Sequence, residues 1–343
     1  PSVLPWDQLI FALGSTTRMP ASVPGLAEHA VGFKTLAEAI ALRNRLLRNL
    51  EVADATDGDA ARRRLLTFFF VGGGYAGTET AAEMHATAKD ALRFYPRLSE
   101  AMLRFVILDS APMILRDLGD DFATRVQQGL MEKGIEIRTS TTLKEVRADA
   151  VVLSTGEPIP TETIVWTAGV VANPLAQMIP AERDPRGRII TTPEMRVPGV
   201  DGVWALGDSA AVPDAKAGGK AAPATAQHVL RQARTLAQNI AVVLAQRGTL
   251  TPFAHGNLGM LAGLGSFDGA GRLLGIPIRG FLAWWIVRTY HLLQLPTLSR
   301  KVRVVLDWTV GLFFRRDIAQ LGSLQMVPQS KTGTPVVRTG TIG

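Results

Sequence analysis

Gly72-Gly73-Gly74-Tyr75-Ala76-Gly77 follows directly on the apolar run Leu65–Val71 and carries glycines at the three positions of a GxGxxG pattern, Gly72, Gly74 and Gly77. That spacing suits the pyrophosphate of a dinucleotide. The first glycine allows a tight turn, the second lets phosphate oxygens reach the backbone, and the third lets helix and strand pack closely. A helix opening there offers its free N–H groups and positive dipole end to the phosphates. The plainer alternative is a glycine turn that packs a helix on a sheet without a ligand. The next strand-like run, Arg104–Asp109, ends in an acid. Asp109 can accept hydrogen bonds from an adenosine ribose, and its charge opposes a 2′-phosphate, which favours NADH over NADPH. An acid that merely terminates the strand is the alternative. Asp109 lies farther beyond Gly77 than the ~20 residues of the compact fingerprint, so a long first helix is expected, ended by Pro96.

Other residues carry weaker signals. Asp208 follows the strand-like Val203–Leu206 in a Gly207-Asp208 turn, where a carboxylate could bind polyol hydroxyls or be an ordinary turn acid. Pro223–His228 starts a helix, placing free N–H groups where an electron-rich ring edge could be stabilised. Glu79 and Glu83 sit four apart on the first helix, with Glu79 near the dinucleotide mouth; proton transfer and a solvated helix face are both open readings. His29, His85, His255 and His291 lack metal-ligand spacing, so no metal site is expected.

The elements that must position these residues alternate. Residues 8–15 read as a buried strand running into a glycine turn, followed by a Pro/Gly-rich loop up to Gly25. A helix over 35–53 is signalled by the Thr35/Glu38 capping box and by Leu36, Ile40, Leu47 and Leu50 on one face. A polar linker at Asp54–Asp59 leads to the strand before the glycines. Then come a helix (75–95), a strand (104–109), a helix (118–133), a strand (134–138), a hairpin region (Leu143–Ile164), and a long helix over Thr225–Val243. Strands alternating with helices imply a parallel sheet covered by helices.

The chain has 343 residues, 47% of them hydrophobic, and a net charge of +7, which is long and apolar enough for two folded domains. Eight cations and one anion, Asp307, between Arg272 and Arg316 account for the whole net charge. They alternate with Trp, Phe and Leu, a pattern that fits an anionic membrane surface better than a nucleic-acid phosphate track. Trp284, Trp285, Trp308, Phe313 and Phe314 with nearby Arg read as interfacial anchors. The stripe Val302, Leu306, Val310 and Phe313 fits a membrane, a core or a dimer face. No uncharged apolar run reaches the ~18 residues of a membrane span. There is no cysteine, which excludes a redox-active dithiol relay. Pro1–Trp6 shows no signal-peptide features, and the tail from about 322 is expected to be disordered.

Taken together, Gly72–Glu83, Val165-Trp166-Thr167-Ala168-Gly169, Ala205-Leu206-Gly207-Asp208 and Ala224-Thr225-Ala226-Gln227-His228 resemble the type II NADH:quinone oxidoreductases, within the pyridine nucleotide-disulphide oxidoreductase superfamily. The resemblance runs from about residue 5 to about 320. It implies an α/β flavoprotein with two dinucleotide-binding domains: a Rossmann-like FAD domain, here incomplete, an inserted NADH-binding Rossmann domain, and a C-terminal amphipathic helical membrane-docking region. The expected limits are 1–64 and 175–250 for the two halves of the FAD domain, 65–174 for the NADH domain, 251–320 for the docking region and 321–343 for the tail.

By the same resemblance, Asp208, with Gly207, binds the FAD ribityl chain, and Ala226 and Gln227 border the isoalloxazine and the quinone channel. Glu79 lies between the nicotinamide and quinone sites, Gly169 contacts NADH, and Ala12, Leu13 and Gly14 pass the flavin. Glu79 and Gln227 are the catalytic candidates. The implied activity is hydride transfer from NADH to FAD and two electrons onward to a membrane quinone, at the cytoplasmic face of the inner membrane, with a homodimer as an open alternative. Two departures stand out. A family Gln is met here by Arg231, with Gln232 one place on; and no first GxGxxG precedes residue 8, which reads as an N-terminal truncation. The rival readings are a soluble flavoprotein reductase of an electron-carrier protein and a non-catalytic NADH-binding fragment.

Overall fold

A computed structural model describes residues 5–256, 259–314 and 318–319, with no account of the Leu312 side chain. The expectations for the tail beyond 320 and for Arg315 and Arg316 lie outside the described residues. The chain forms two compact units, one of Pro1–Arg18, Ala168–Met260 and Arg272–Ile276, the other of Met19–Thr167, Leu261–Gly271 and Pro277–Gly343.

The second unit is built on a parallel sheet of β1 (Ala30–Gly32), β2 (Thr67–Val71), β3 (Arg104–Leu108), β4 (Ile135–Arg138) and β5 (Thr163–Trp166), in the order β1-β5-β2-β3-β4. Every residue of β2 is buried, as a strand covered on both faces requires. Its side chains alternate: Phe68 and Phe70 join a core with Phe105 and Ile107, while Phe69 and Val71 join another with Val106 and Leu108. Helices α1 (Leu36–Ala55), α2 (Tyr75–Ala91) and α3 (Asp120–Glu132) supply the first core. An antiparallel meander of Leu143–Val146, Ala150–Leu153 and Pro158–Pro160 covers the other face.

The capping box that starts α1 is formed by Thr35 and Glu38. Its apolar face is rotated from the expected one: Leu36 is 77% exposed, and Leu42, Leu46, Leu47 and Leu50 are buried. The expected linker is shorter, Thr56–Gly58, and a helix that the sequence did not suggest, Asp59–Leu65, follows it. α2 ends at Ala91 in a 3-10 turn, Leu92–Phe94, well before Pro96. Residues 19–64 also belong with the parallel sheet, because β1 pairs with β5 and α1 buries Leu42 to Leu50 in its core.

In the first unit, Leu9–Phe11 pairs in parallel with Val203–Ala205. The strand expected in 8–15 and the glycine turn that ends it are present, the turn at Gly14 with a φ of 70°, but the segment is only partly buried, with Ile10 and Leu13 exposed. Ser15–Thr17 then pairs antiparallel with Val170–Ala172. α4 (Ala226–Ala245) buries His228, Gln232, Leu236 and Asn239, at helical i, i+4, i+8 and i+11 spacing.

Toward the C-terminus, β6 (Gly259–Gly263), β7 (Gly269–Leu273) and β8 (Ile276–Arg279) form a three-stranded sheet in that order. Two helices follow, α5 (Phe281–Gln294) and α6 (Leu298–Phe313). The Arg288 guanidinium lies 4.7 Å from the ring centres of both Trp284 and Trp308, joining the two helices by cation–π contact. Val302, Leu306, Val310 and Phe313 are exposed, Phe313 to 80%, so this stripe is not core. Among the described residues no helix is long and apolar enough to cross a membrane.

Candidate functional site

The glycine loop joins β2 to α2, and its shape leaves little freedom in residue type. Gly72 has a φ of 116°, and a Cβ at Gly77 would meet the Gly72 carbonyl oxygen at 1.9 Å and Thr167 Oγ1 at 2.5 Å. At Gly74, the N-cap of α2, no side chain caps the helix and a Cβ would meet nothing within 4 Å. The third glycine is thus a packing necessity, whereas the second leaves open space at a helix N-terminus. Thr167, quoted in the Val165–Gly169 motif but given no role there, braces the loop by donating its hydroxyl to the carbonyl oxygens of Val71 (2.9 Å) and Gly72 (3.2 Å).

Asp109 stands at the end of β3. Its Oδ2 accepts the Gly73 N–H at 2.6 Å and its Oδ1 the Ala111 N–H at 2.7 Å. The carboxylate is therefore tied to the glycine loop by both oxygens. Each oxygen has a second lone pair, so the acid is oriented and still able to accept from ribose hydroxyls. An open glycine cradle, a helix end and an oriented acid fit NADH.

Glu79 lies one half-turn beyond Gly77 on α2. Its Oε1 accepts the Gly263 N–H at 2.7 Å. Burial pushes its carboxyl up to about 7; the Gly263 donor opposes the rise and the charge of Glu83 adds to it. At neutral pH such a group can either take or release a proton. Gly263 was not legible as its partner, because nothing local in sequence links residues 79 and 263.

The remaining candidates are in the first unit. Asp208 Oδ2 accepts the Ser15 hydroxyl at 2.8 Å, and the Gly207 N–H is held by Gln232 Oε1 at 2.8 Å. The departure noted at 231–232 thus acquires a structural role: Gln232 fixes the Asp208 turn, while Arg231 Nη1 donates to the Gln227 carbonyl oxygen at 2.8 Å. Gly14 is positioned by its carbonyl oxygen, which accepts from Asn173 N–H at 3.1 Å, and Ala12 is exposed. Gly169 has a φ of 148°, and its carbonyl oxygen accepts from Arg18 N–H at 3.0 Å.

Ala226 and Gln227 open α4. Thr225, the N-cap, does not cap the backbone with its side chain; its hydroxyl is 2.7 Å from His228 Nδ1. Burial holds His228 below the usual histidine range, which keeps the ring neutral at pH 7. Gln227 Nε2 donates to the Gly259 carbonyl oxygen at 3.2 Å. A turn acid, the glycine turn at Gly14 and a helix N-terminus fit the ribityl and ring ends of FAD. For the flavin pyrophosphate, the described residues of this unit offer no second glycine loop ahead of a helix. The structure places Glu79, Asp109 and the glycine loop together in the second unit, and Asp208, Gly207, Gly14, Ala226 and Gln227 in the first.

A parallel-sheet dinucleotide fold with these two sets of residues defines a pyridine-nucleotide flavoprotein, and residues 2–233 match the family model described as pyridine nucleotide-disulphide oxidoreductase. The chain belongs to that family. It is 29% identical over 89% of its length to the type II NADH:quinone oxidoreductase Ndh of Mycobacterium tuberculosis, of which it covers 67%. It is 32% identical over 89% of its length to the demethylphylloquinone reductase NdbB of Synechocystis sp., of which it covers 70%. The fold matches that of NDH2 from Plasmodium falciparum, solved in complex with NADH, with a TM-score of 0.83 over 92% of this chain and 80% of the other, at 16% identity. Within the family, the chain falls among the type II NADH:quinone oxidoreductases.

Proposed function

We propose that this chain is an FAD-dependent oxidoreductase that oxidises NADH and reduces a membrane quinone. The observation that carries the reading is Glu79: a carboxyl poised at about 7 by burial, on the helix that opens from the dinucleotide loop, in a chain without cysteine. Reducing a quinone consumes protons as well as electrons, and a dithiol relay cannot operate here. The quinone reductase named among the relatives supports the same substrate class.

When bound, FAD supplies the two-electron chemistry between nicotinamide and quinone. The protein's own residues do the rest. Gly72, Gly74 and Gly77 seat the NADH pyrophosphate at the start of α2; Asp109, held by Gly73 and Ala111, takes the ribose; Gly169 borders the nucleotide. Asp208, held by Ser15, takes the ribityl hydroxyls beside Gly207. Ala12 and Gly14 pass the flavin. Ala226 and Gln227 present the N-terminus of α4 to the ring edge and the quinone. Glu79 supplies the proton. The residues for the NADH pyrophosphate and ribose belong to the unit of the parallel sheet, and those for FAD to the other.

The exposed apolar and basic faces of α5 and α6 dock the protein peripherally on an anionic membrane surface, at the cytoplasmic face of the inner membrane, where a lipophilic quinone is concentrated. A second copy covering the α6 stripe is the other use of this face. The test of the catalytic reading is an anaerobic visible spectrum of the FAD-loaded chain. NADH should bleach the flavin and a soluble quinone should restore its colour. Retained flavin that NADH does not bleach, or that quinone does not reoxidise, would overturn the reading.

A further inference from the structure

The Gly263 N–H that meets Glu79 belongs to a hairpin segment, Leu261–Gly271, which is pinned from several sides. The Leu264 N–H bonds to the Asp268 carbonyl oxygen at 2.9 Å and closes the turn. Gly265, at a φ of 93°, lies so near α2 that a Cβ there would sit 3.3 Å from the Ala82 carbonyl oxygen and 3.6 Å from Ala86 Cβ. At Gly269 a Cβ would meet the Ala262 carbonyl oxygen and the Trp284 nitrogen at 2.8 Å. Glu79, Ala82, Glu83 and Ala86 form one stripe of α2, so hairpin and helix run together along that stripe. At the far side, Lys133, which ends α3, donates its Nζ to the Leu264 carbonyl oxygen at 2.9 Å and to the Asp268 carboxylate.

We propose that Lys133 is a positioning residue for Glu79: through Leu264 and Asp268 it clamps the hairpin against α2 and so keeps the Gly263 N–H on the Glu79 carboxylate. Ala262, Leu264 and Ala270 seat the hairpin in the same core as α2, and the charged clamp adds a fixed position at its turn. A charged donor reaching a carbonyl and a carboxylate at once gives it a fixed seat. The titratable groups that interact with Glu79 are Glu83 and Tyr75 on its own helix, while Asp268 and Lys133 pair with each other at the hairpin turn. The donor from Gly263 favours the ionised form of Glu79, so loss of the clamp raises the proton affinity of Glu79 further.

This inference rests on the reading that Glu79 handles the protons of the reaction, and the test separates the two. In the FAD-loaded full chain, the Glu79 carboxyl stretch is assigned by its disappearance in Glu79→Gln and followed against pH by infrared difference spectroscopy. Lys133→Met should move the titration midpoint upward by about one pH unit, and Lys133→Arg should restore it. Asp268→Asn, which leaves Lys133 in place, should shift it in the same direction and serves if Lys133→Met does not fold. An unchanged midpoint in Lys133→Met and Asp268→Asn, or an equal shift in Lys133→Arg, overturns the clamp. Full quinone turnover in Glu79→Gln instead removes Glu79 from the reaction while the spectroscopic result on the clamp stands.

Discussion

Glu79 shows how a single carboxyl is tuned by where its helix points. Placed on the solvated side of α2 it would titrate as an ordinary glutamate; burial carries it to about 7. Its folded pKa lies above its unfolded one, so protonation favours the native state. Below about pH 4 the group is protonated in both states and costs nothing. As pH rises from there to about 7 a cost accumulates, and above 7 it is constant. The shift corresponds to at most about 3 kcal/mol. Glu79→Gln is therefore expected to raise the melting temperature at pH 8 and to leave it nearly unchanged at pH 4.5; calorimetry at the two pH values checks this. Asp109 and the glycine loop were legible from spacing, because each works through its immediate neighbours on a strand end. Thr167, Ser15, Gln232 and Gly263 were not, since each meets its partner across a long stretch of chain and belongs to a residue type common in any loop or helix.

At the scale of elements, the strands and helices of the parallel sheet follow from local patterning, and the capping box at Thr35 and Glu38 marks the start of α1 correctly. Where expectation and structure part, tertiary packing overrides a local cue. Leu36 is apolar but sits in the first turn, outside the face that meets the sheet, so it stays exposed. Pro96 does not end α2, which passes at Ala91, still buried in the core, into the 3-10 turn Leu92–Phe94. The α5–α6 pair has an unusual excess of apolar surface for a protein face in water. Leu306, 59% exposed, and Phe313 lie on it without burying against their own unit. Leu306→Ser with Phe313→Ser is expected to cut co-sedimentation with anionic vesicles by tenfold or more, with NADH-driven bleaching of flavin unaffected. Equal co-sedimentation of variant and parent, in low and high salt alike, would remove this surface from membrane binding.

For the whole molecule, the chain leaves the first unit after Arg18, builds the parallel-sheet unit, and returns at Ala168. The family name refers to a disulfide chemistry that this chain lacks, having no cysteine. Arsenite or a thiol-alkylating reagent is therefore expected to leave NADH:quinone turnover unchanged, and inhibition by either in a steady-state assay would contradict the direct flavin route. By itself the sequence determined the class of fold, the glycine loop ahead of α2, the acid at the end of the next strand and the absence of thiol chemistry, because these depend on residue type and near-neighbour spacing. Only the tertiary structure decided that residues 19–64 belong with the parallel sheet, that the α6 stripe faces outward, that Gln232 holds the Asp208 turn, and that Glu79 is poised near neutrality. Burial and hydrogen bonds between distant segments are set by how elements stack, and no local pattern encodes that stacking.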